Sequence, residues 1–319
     1  MKLFHETKIQ AYSKTELKFS IISDIHFSYR VKNKKLNALK EKLARRKPNY
    51  IFISGDIVDS NNMIEKASEE KRLLKWLESL GEVAPVIIEK GNHDDYHKTS
   101  KEERKKTGER WSVVKNTTFL KKVNKLKNVH YLDNDAFEDK NVYVLCVSLS
   151  PKYYQLFKSD KKNKDLPPGE NLDELLKTLD KLDKKLIKNL PKGKKKFALI
   201  HSPYHLDNPK VQEKLKEFDF FVSGHMHNGL VTPIASELWF GDRGIVNASR
   251  KIAAKNTRLS YRTLKSGLII TGAVTTWHEC TGMFHNLNLL YPSYFTTLEL
   301  KKSEKLKKHP KVTKRYLNY

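Results

Sequence analysis

Tyr50-Ile51-Phe52-Ile53-Ser54-Gly55-Asp56-Ile57-Val58-Asp59 runs from a short apolar stretch, rich in β-branched and aromatic residues, into a glycine and two aspartates three positions apart. The apolar run reads as a buried strand. Glycine lets the chain turn closely behind it, so Asp56 emerges at the strand's end, where open α/β sheets usually bind their ligands. Gly-Asp after a strand is also ordinary turn chemistry. Its significance therefore depends on the rest of the chain.

The same order, an apolar strand and then residues that can ligate, recurs on both sides. Lys18 to Ser23 leads into Asp24-Ile25-His26, and Val86 to Lys90 leads into Gly91-Asn92-His93-Asp94. Further on, Phe197 to Ile200 runs into His201-Ser202-Pro203, and Phe220 to Ser223 into Gly224-His225-Met226-His227. Helical periodicity lies between these strands. Leu36, Leu39, Leu43 and Ala44 form one stripe, stopped by Pro48. Ile64 to Leu80 forms a second with Gly81 as its stop, and Leu172 to Ile187 a third that ends before Pro191 and Gly193. Asp95 to Lys125 reads as a helical excursion anchored by Trp111 and Phe119. Val129 to Leu132 and Val142 to Ser148 read as strands separated by turns, starting a second sheet. Pro151 to Gly169 is expected to be loop, while Gly267 to Thr271 and Tyr294 to Leu300 close the sheets.

With 319 residues the chain can bury a proper core, and no linker divides it, so one domain over residues 1–319 is expected. No apolar run approaches the roughly 20 residues that cross a bilayer. Met1 to Glu6 has no apolar segment behind its lysine, so no secretory signal is expected, and two cysteines, Cys146 and Cys280, fit a reducing cytoplasm. The net charge of +25 implies attraction to an anion such as nucleic acid, an acidic membrane leaflet or a phosphorylated substrate, or else lysine filling exposed helix faces.

The strand-end residues Asp24, His26, Asp56, Asn92, His201, His225 and His227 are oxygen and imidazole donors without a thiolate. Such a set suits manganese, iron or zinc rather than a tetrathiolate structural zinc site. A carboxylate shared between two cations would hold them about 3.5–4 Å apart, as two-metal hydrolysis requires.

The ordered set Asp24-x-His26, Gly55-Asp56-x-x-Asp59, Gly91-Asn92-His93-Asp94, His201 and Gly224-His225-x-His227 resembles the calcineurin-like metallophosphoesterase superfamily. That resemblance implies an α/β fold in which two mixed β-sheets pack as a sandwich flanked by helices. It implies two divalent metal ions, one served by Asp24, His26 and His227, the other by Asn92, His201 and His225, with Asp56 bridging. It also implies that His93 assists the leaving group and that Asp59 orients the His93 imidazole. Asp94 reads as a turn or cap residue.

The expected activity is hydrolysis of a phosphomonoester or phosphodiester, an anionic substrate, by a metal-activated hydroxide. A metal-dependent nuclease acting on DNA or RNA is the alternative that charge favours, but the basic residues are scattered and no nucleic-acid module accompanies them. A catalytically silent binding scaffold on the same fold is the other alternative, and the presence of His93 with every expected ligand argues against it. Residues 230–266 are expected to be an inserted loop region, whose arginines either bind substrate phosphate or are solvated. Residues 301–319 are expected to be a basic C-terminal tail. That tail, with the apolar stretch from Met283 to Tyr291, either packs and frays or makes peripheral contact with an acidic membrane surface.

Overall fold

The computed structural model describes residues 3–108, 111–115, 117–154, 170–227, 260–264, 266–275, 293–303 and 310–318. In chain order its strands are β1 (Leu3–Ser13), β2 (Leu17–Ile22), β3 (Tyr50–Ser54), β4 (Val86–Glu89), β5 (Tyr96–Lys98), β6 (Trp111–Val113), β7 (Val129–Leu132) and β8 (Asp135–Glu138). They continue with β9 (Val142–Cys146), β10 (Lys195–Leu199), β11 (Phe220–Ser223), β12 (Ser260–Thr263), β13 (Gly267–Ile270), β14 (Ser293–Lys302) and β15 (Lys311–Asn318). The helices are α1 (Asn33–Arg45), α2 (Ala67–Gly81), α3 (Lys101–Thr107), α4 (Thr117–Val123), α5 (Pro151–Tyr154), α6 (Leu172–Leu182) and α7 (Pro209–Lys214).

Two mixed sheets form the centre. One has the order β15-β1-β14-β2-β3-β4-β7 and the other β12-β13-β11-β10-β9-β8. Their facing sides make one apolar layer, in which Phe19, Ile21, Phe52 and Ile87 of the first sheet meet Val144, Phe197, Leu199 and Val222 of the second. The Phe197 ring lies 4.7 Å from Phe19 and 5.1 Å from Phe52. Burying each such ring contributes about 1.5–3 kcal/mol. The outer side of the first sheet is covered by α1, α2 and α4 and that of the second by α6 and α7, giving a sandwich flanked by helices.

The helices follow from their stripes. Leu36, Leu39 and Leu43 of α1 are buried, and Lys42 and Arg45 in its last turn suit the negative end of its dipole. Leu73, Trp76, Leu77 and Leu80 form the buried face of α2, with Glu69 and Glu70 in its first turn; the Trp76 Nε1–H donates to the Leu36 main-chain oxygen at 3.0 Å. The α6 helix starts on Asn171, whose side chain accepts from the N–H groups of Asp173 and Glu174, and passes into a wider π turn at Asp183–Ile187. Gly81 does not act as a left-handed stop. It is the last residue of α2, and a Cβ there would collide with the Lys127 main-chain oxygen, so close approach is what requires glycine.

Several stretches differ from their sequence expectation. Strand β1 precedes every strand expected from the sequence; it pairs in parallel with β14 and antiparallel with β15. Most of the expected basic tail is therefore sheet, since β14 continues to Lys302 and β15 fills Lys311–Asn318. Within the expected insertion, Ser260–Thr263 is strand β12, paired with β13; residues 228–259 lie outside the described part, as do 155–169 and 276–292, which include the Met283 to Tyr291 stretch expected to pack or to contact a membrane. The 95–125 excursion contains a hairpin, β5–β6, beside two short helices, and Phe119 anchors it at 4% exposure. The turn-rich stretch after Leu132 carries strand β8, antiparallel to β9. Among the described residues no helix is long and apolar enough to cross a membrane.

What positions the site is the run of parallel pairs, β2-β3-β4 in one sheet and β9-β10-β11-β13 in the other. Their carboxyl ends, with the motif residues just beyond them, collect along one seam between the sheets.

Candidate metal centre

Asp24 and His26 follow β2, Asp56 follows β3, Asn92 and His93 follow β4, His201 follows β10, and His225 and His227 follow β11. The β2 and β3 loops stay paired past their strands, with Asp24 N–H on Gly55 O (3.1 Å) and His26 N–H on Asp56 O (3.0 Å). Gly224 N–H donates to His201 O at 3.0 Å, and His225 N–H to the Asp24 carboxylate at 2.9 Å, joining the two sheets. Five of the expected ligands hold left-handed backbone: Asp24 (φ 52°), His26 (43°), Asp56 (54°), His225 (66°) and His227 (44°). Such conformations cost of order 1–3 kcal/mol each and persist where the surroundings enforce them, often at functional sites. Glycine is required at Gly91, where a Cβ would strike the Asp56 carboxylate and main-chain nitrogen.

The side chains converge as two groups. In the first, His26 Nε2 and His227 Nε2 face each other at 3.0 Å, and the Asp24 Oδ1 lies 3.3 Å from His227 Nε2 and 3.8 Å from His26 Nε2. In the second, His201 Nε2 lies 3.1 Å from Asp56 Oδ2, and the His225 ring meets His201 edge-on with centroids 4.9 Å apart. Asp56 stands between them: Oδ2 is also 3.7 Å from His26 Nε2, while Oδ1 accepts from His93 N–H at 2.8 Å. Three carboxylate and imidazole sets in this region could each hold a metal ion: Asp24, His26 and His227; Asp56, His201 and His225; and His26, Asp59 and His93.

The residues fit cations. Among the described residues, Asp24 Oδ1 and Asn92 Oδ1 are buried with no hydrogen-bond partner, and His201 Nε2, though 3.1 Å from Asp56 Oδ2, makes no well-aligned hydrogen bond. Leaving a buried polar atom so costs about 1–3 kcal/mol. All three are atoms of kinds that can ligate a metal, and the opposite ring nitrogen of His201, Nδ1, lies 2.7 Å from Ser54 O, an arrangement that leaves Nε2 open for coordination. Burial works against every charge here, yet His227 and His26 hold the Asp24 carboxyl well below its usual range, and His201 and His93 do the same for Asp56. Conversely, burial opposes the charged ring but Asp56 raises His201 to about 10, and Asp24 raises His26 to about 9, while burial takes His227 down to about 4.

The contact between His93 and Asp59 differs from expectation. His93 Nδ1 lies 2.7 Å from the main-chain oxygen of Asp59, whereas the Asp59 carboxylate stands 3.9 Å from His26 Nδ1. The orienting contact therefore comes from the backbone. The His93 ring also meets the His26 ring edge-on at 4.7 Å.

Asp94 is a cross-link between motif loops. Its Oδ1 accepts from Ile57 N–H (2.9 Å) and Val58 N–H (3.1 Å), and its Oδ2 from Gly91 N–H (2.8 Å). Burial and the nearby Asp56 charge push its carboxyl up to about 7 against these donors. His205 Nε2 contacts the main-chain oxygen of Glu170 at 2.9 Å.

Two carboxyl groups went unread in the sequence. Glu89 is fully buried: Oε1 accepts from His201 N–H (2.9 Å), Oε2 lies 3.1 Å from Ser54 Oγ, and burial pushes the group up to about 8. Its signal was alternation, because Glu89 shares a face of β4 with Ile87, which lies in the layer between the sheets. Glu170 Oε1 lies 3.7 Å from His225 Nε2, with no local signal to foretell it.

Fold and site together define a sandwich of two mixed sheets carrying a cluster of nitrogen and oxygen donors on its seam. The calcineurin-like phosphoesterase family pattern matches residues 17–229, and the chain belongs to that family. A solved dimetal phosphatase from Danio rerio is similar at 14% identity, covering 89% of this chain and 93% of its own, with a TM-score of 0.44. No curated protein matches.

Proposed function

We propose that the chain hydrolyses a phosphate monoester or diester in the cytoplasm, using two divalent cations drawn from manganese, iron or zinc. Asp24, His26 and His227 would hold one, and Asn92, His201 and His225 the other, with Asp56 between them. The observation that carries the reading is Asp56 Oδ2, which faces His201 Nε2 at 3.1 Å and His26 Nε2 at 3.7 Å, one imidazole from each group. Bound cations of this kind supply a water ionised at neutral pH and stabilise charge on phosphoryl oxygens.

The protein's own part is positioning. Asp56 Oδ1 fixes the His93 main chain, and the Asp59 carbonyl occupies His93 Nδ1 as its hydrogen-bond acceptor. A proton passed to a leaving oxygen is therefore carried on His93 Nε2. Ser23 Oγ lies 2.5 Å from Asp24 Oδ2, which also accepts the His225 N–H, so Asp24 presents only Oδ1 to the cluster.

Purified protein supplemented with manganese is expected to cleave a generic aryl phosphate ester, and Asp56→Asn to remove that activity without unfolding the chain. Activity that survives Asp56→Asn would sink the assignment. Parallel assays on monoesters, diesters and polynucleotides separate the substrate classes, and salt-sensitive cutting of DNA or RNA would favour the nuclease reading.

A further inference from the structure

Among the described residues the large apolar side chains that stand exposed are Tyr29 (65%), Val113 (41%), Val114 (45%) and Val312 (43%). Three of these four belong to segments that leave the metal motifs. Tyr29 lies three residues past His26. Val113 pairs with Tyr96, itself three residues past His93. Val114 is fastened through both main-chain groups: its N–H donates to Asp95 O at 2.8 Å, and its carbonyl accepts from Asn61 Nδ2 at 2.7 Å. Asp95 and Asn61 each follow a motif residue, His93 and Asp59, by two positions, so the Val114 side chain is displayed at a fixed point beside the site.

The hairpin also carries α3, a helix that buries none of its residues. It is held at its ends, by a capping box between Ser100 and Glu103 and by Gly108 in the left-handed region (φ 73°), so it does not exist to cover a core. Among the described residues between 98 and 115 the exposed cations are Lys98, Lys101, Arg104, Lys105, Lys106 and Lys115, against Glu102 and Glu103. Glu103 is already engaged in the cap.

Basic side chains interleaved with exposed aliphatic ones form a surface that attracts an acidic leaflet and inserts shallowly into it. A groove for single-stranded nucleic acid would present a series of stacking rings, whereas Val113 and Val114 on this hairpin are aliphatic. We propose that this rim docks on an anionic lipid surface and brings the site to a phosphate ester presented there. The inference rests on the phosphoesterase reading and names the setting of its substrate.

The test is co-sedimentation of the full chain with phosphatidylcholine vesicles, with and without phosphatidylglycerol, for wild type, Val113→Asp and the pair Lys105→Glu with Lys106→Glu. Wild type should bind only the anionic vesicles, and each variant should bind roughly tenfold less well. Thermal unfolding and hydrolysis of a soluble aryl phosphate should stay unchanged in both variants. Equal binding to both vesicle types, or undiminished binding by the variants, overturns the proposal. Competition by a single-stranded oligonucleotide, with Val113→Asp binding as wild type, overturns it in favour of a nucleic-acid surface. Soluble-ester hydrolysis without vesicle binding removes this inference and leaves the catalytic reading, whereas vesicle binding without hydrolysis removes the catalytic reading and keeps the docking surface.

Discussion

His93 Nδ1 is oriented by the main-chain oxygen of Asp59 at 2.7 Å, while the Asp59 carboxylate stands 3.9 Å from His26 Nδ1. Replacing that carboxylate keeps the contact to His93 but alters the surroundings of His26, an imidazole proposed to bind metal. Asp59→Asn is therefore expected to raise the manganese concentration needed for half-maximal activity by about 10–100-fold, the usual effect of losing a group that supports a ligand. Its turnover at saturating metal should stay near wild type. His93→Ala should lose about 10²–10⁴-fold in turnover whatever the metal concentration. A metal-independent loss in Asp59→Asn would mean that its carboxylate serves His93 after all.

Asp94 holds the loop of Asp56 against the loop of Asn92 and His93 through three main-chain N–H groups, from Gly91, Ile57 and Val58. An asparagine can accept on only one of its two terminal atoms, and its amide would face an N–H on the other. Asp94→Asn is expected to cost about 1–3 kcal/mol in urea unfolding. Asp94→Ala, which removes every acceptor, should cost more. If both variants unfold like wild type, the three bonds contribute nothing net.

How much of this was legible follows from how local each signal is. Strand β3 was read with its observed bounds because an apolar run closed by Gly55 needs no distant partner. The nearby β1 was missed because its His5, Glu6 and Thr7 look solvent-facing. They are buried because β1 lies between β14 and β15, and Glu6 is held there by Arg46, at the end of α1, through paired hydrogen bonds at 2.7 and 2.6 Å, and by Thr297 of β14, which donates to it at 2.7 Å. The β1–β14 register joins residues nearly a full chain apart, and no periodicity shows that. The candidate ligand residues were readable one motif at a time. Their supports, Glu89 behind His201 and Asp94 between two loops, depend on which strand end faces which, and that appears only once both sheets are closed.

Cation binding should be visible without any substrate. Buried oxygens that lack partners, Asp24 Oδ1 and Asn92 Oδ1, would gain them when an ion binds the folded chain. Titrating manganese or zinc into chelator-treated protein is expected to raise the melting temperature progressively, with about 2.7 kcal/mol of added stability at a hundredfold excess over the dissociation constant. Asp24→Asn should blunt that rise. An identical rise in Asp24→Asn would place the stabilising ion elsewhere.

At the end of the sandwich opposite the site, Tyr50 Oη donates to Asp139 Oδ2 at 2.5 Å and accepts from Asn141 Nδ2 at 3.1 Å, joining the start of β3 to the turn before β9. Burial alone would raise the Asp139 carboxyl, but the Tyr50 hydroxyl and the Val142 and Asn141 N–H groups hold it below its ordinary 3.8. A carboxyl lowered on folding stabilises the native state above its unfolded value, and that contribution fades as pH falls through the lower folded value. Burial, and then Asp139, push Tyr50 up to about 12 from 10, so its contribution is complete below pH 10 and fades between there and 12. Because Asp139 is only partly buried, Tyr50→Phe should cost only about 1 kcal/mol near pH 7. Urea unfolding of both proteins should show that difference shrinking below pH 4 and above pH 10. A difference that stays constant across this range would mean that the Tyr50 hydroxyl contributes independently of the Asp139 charge.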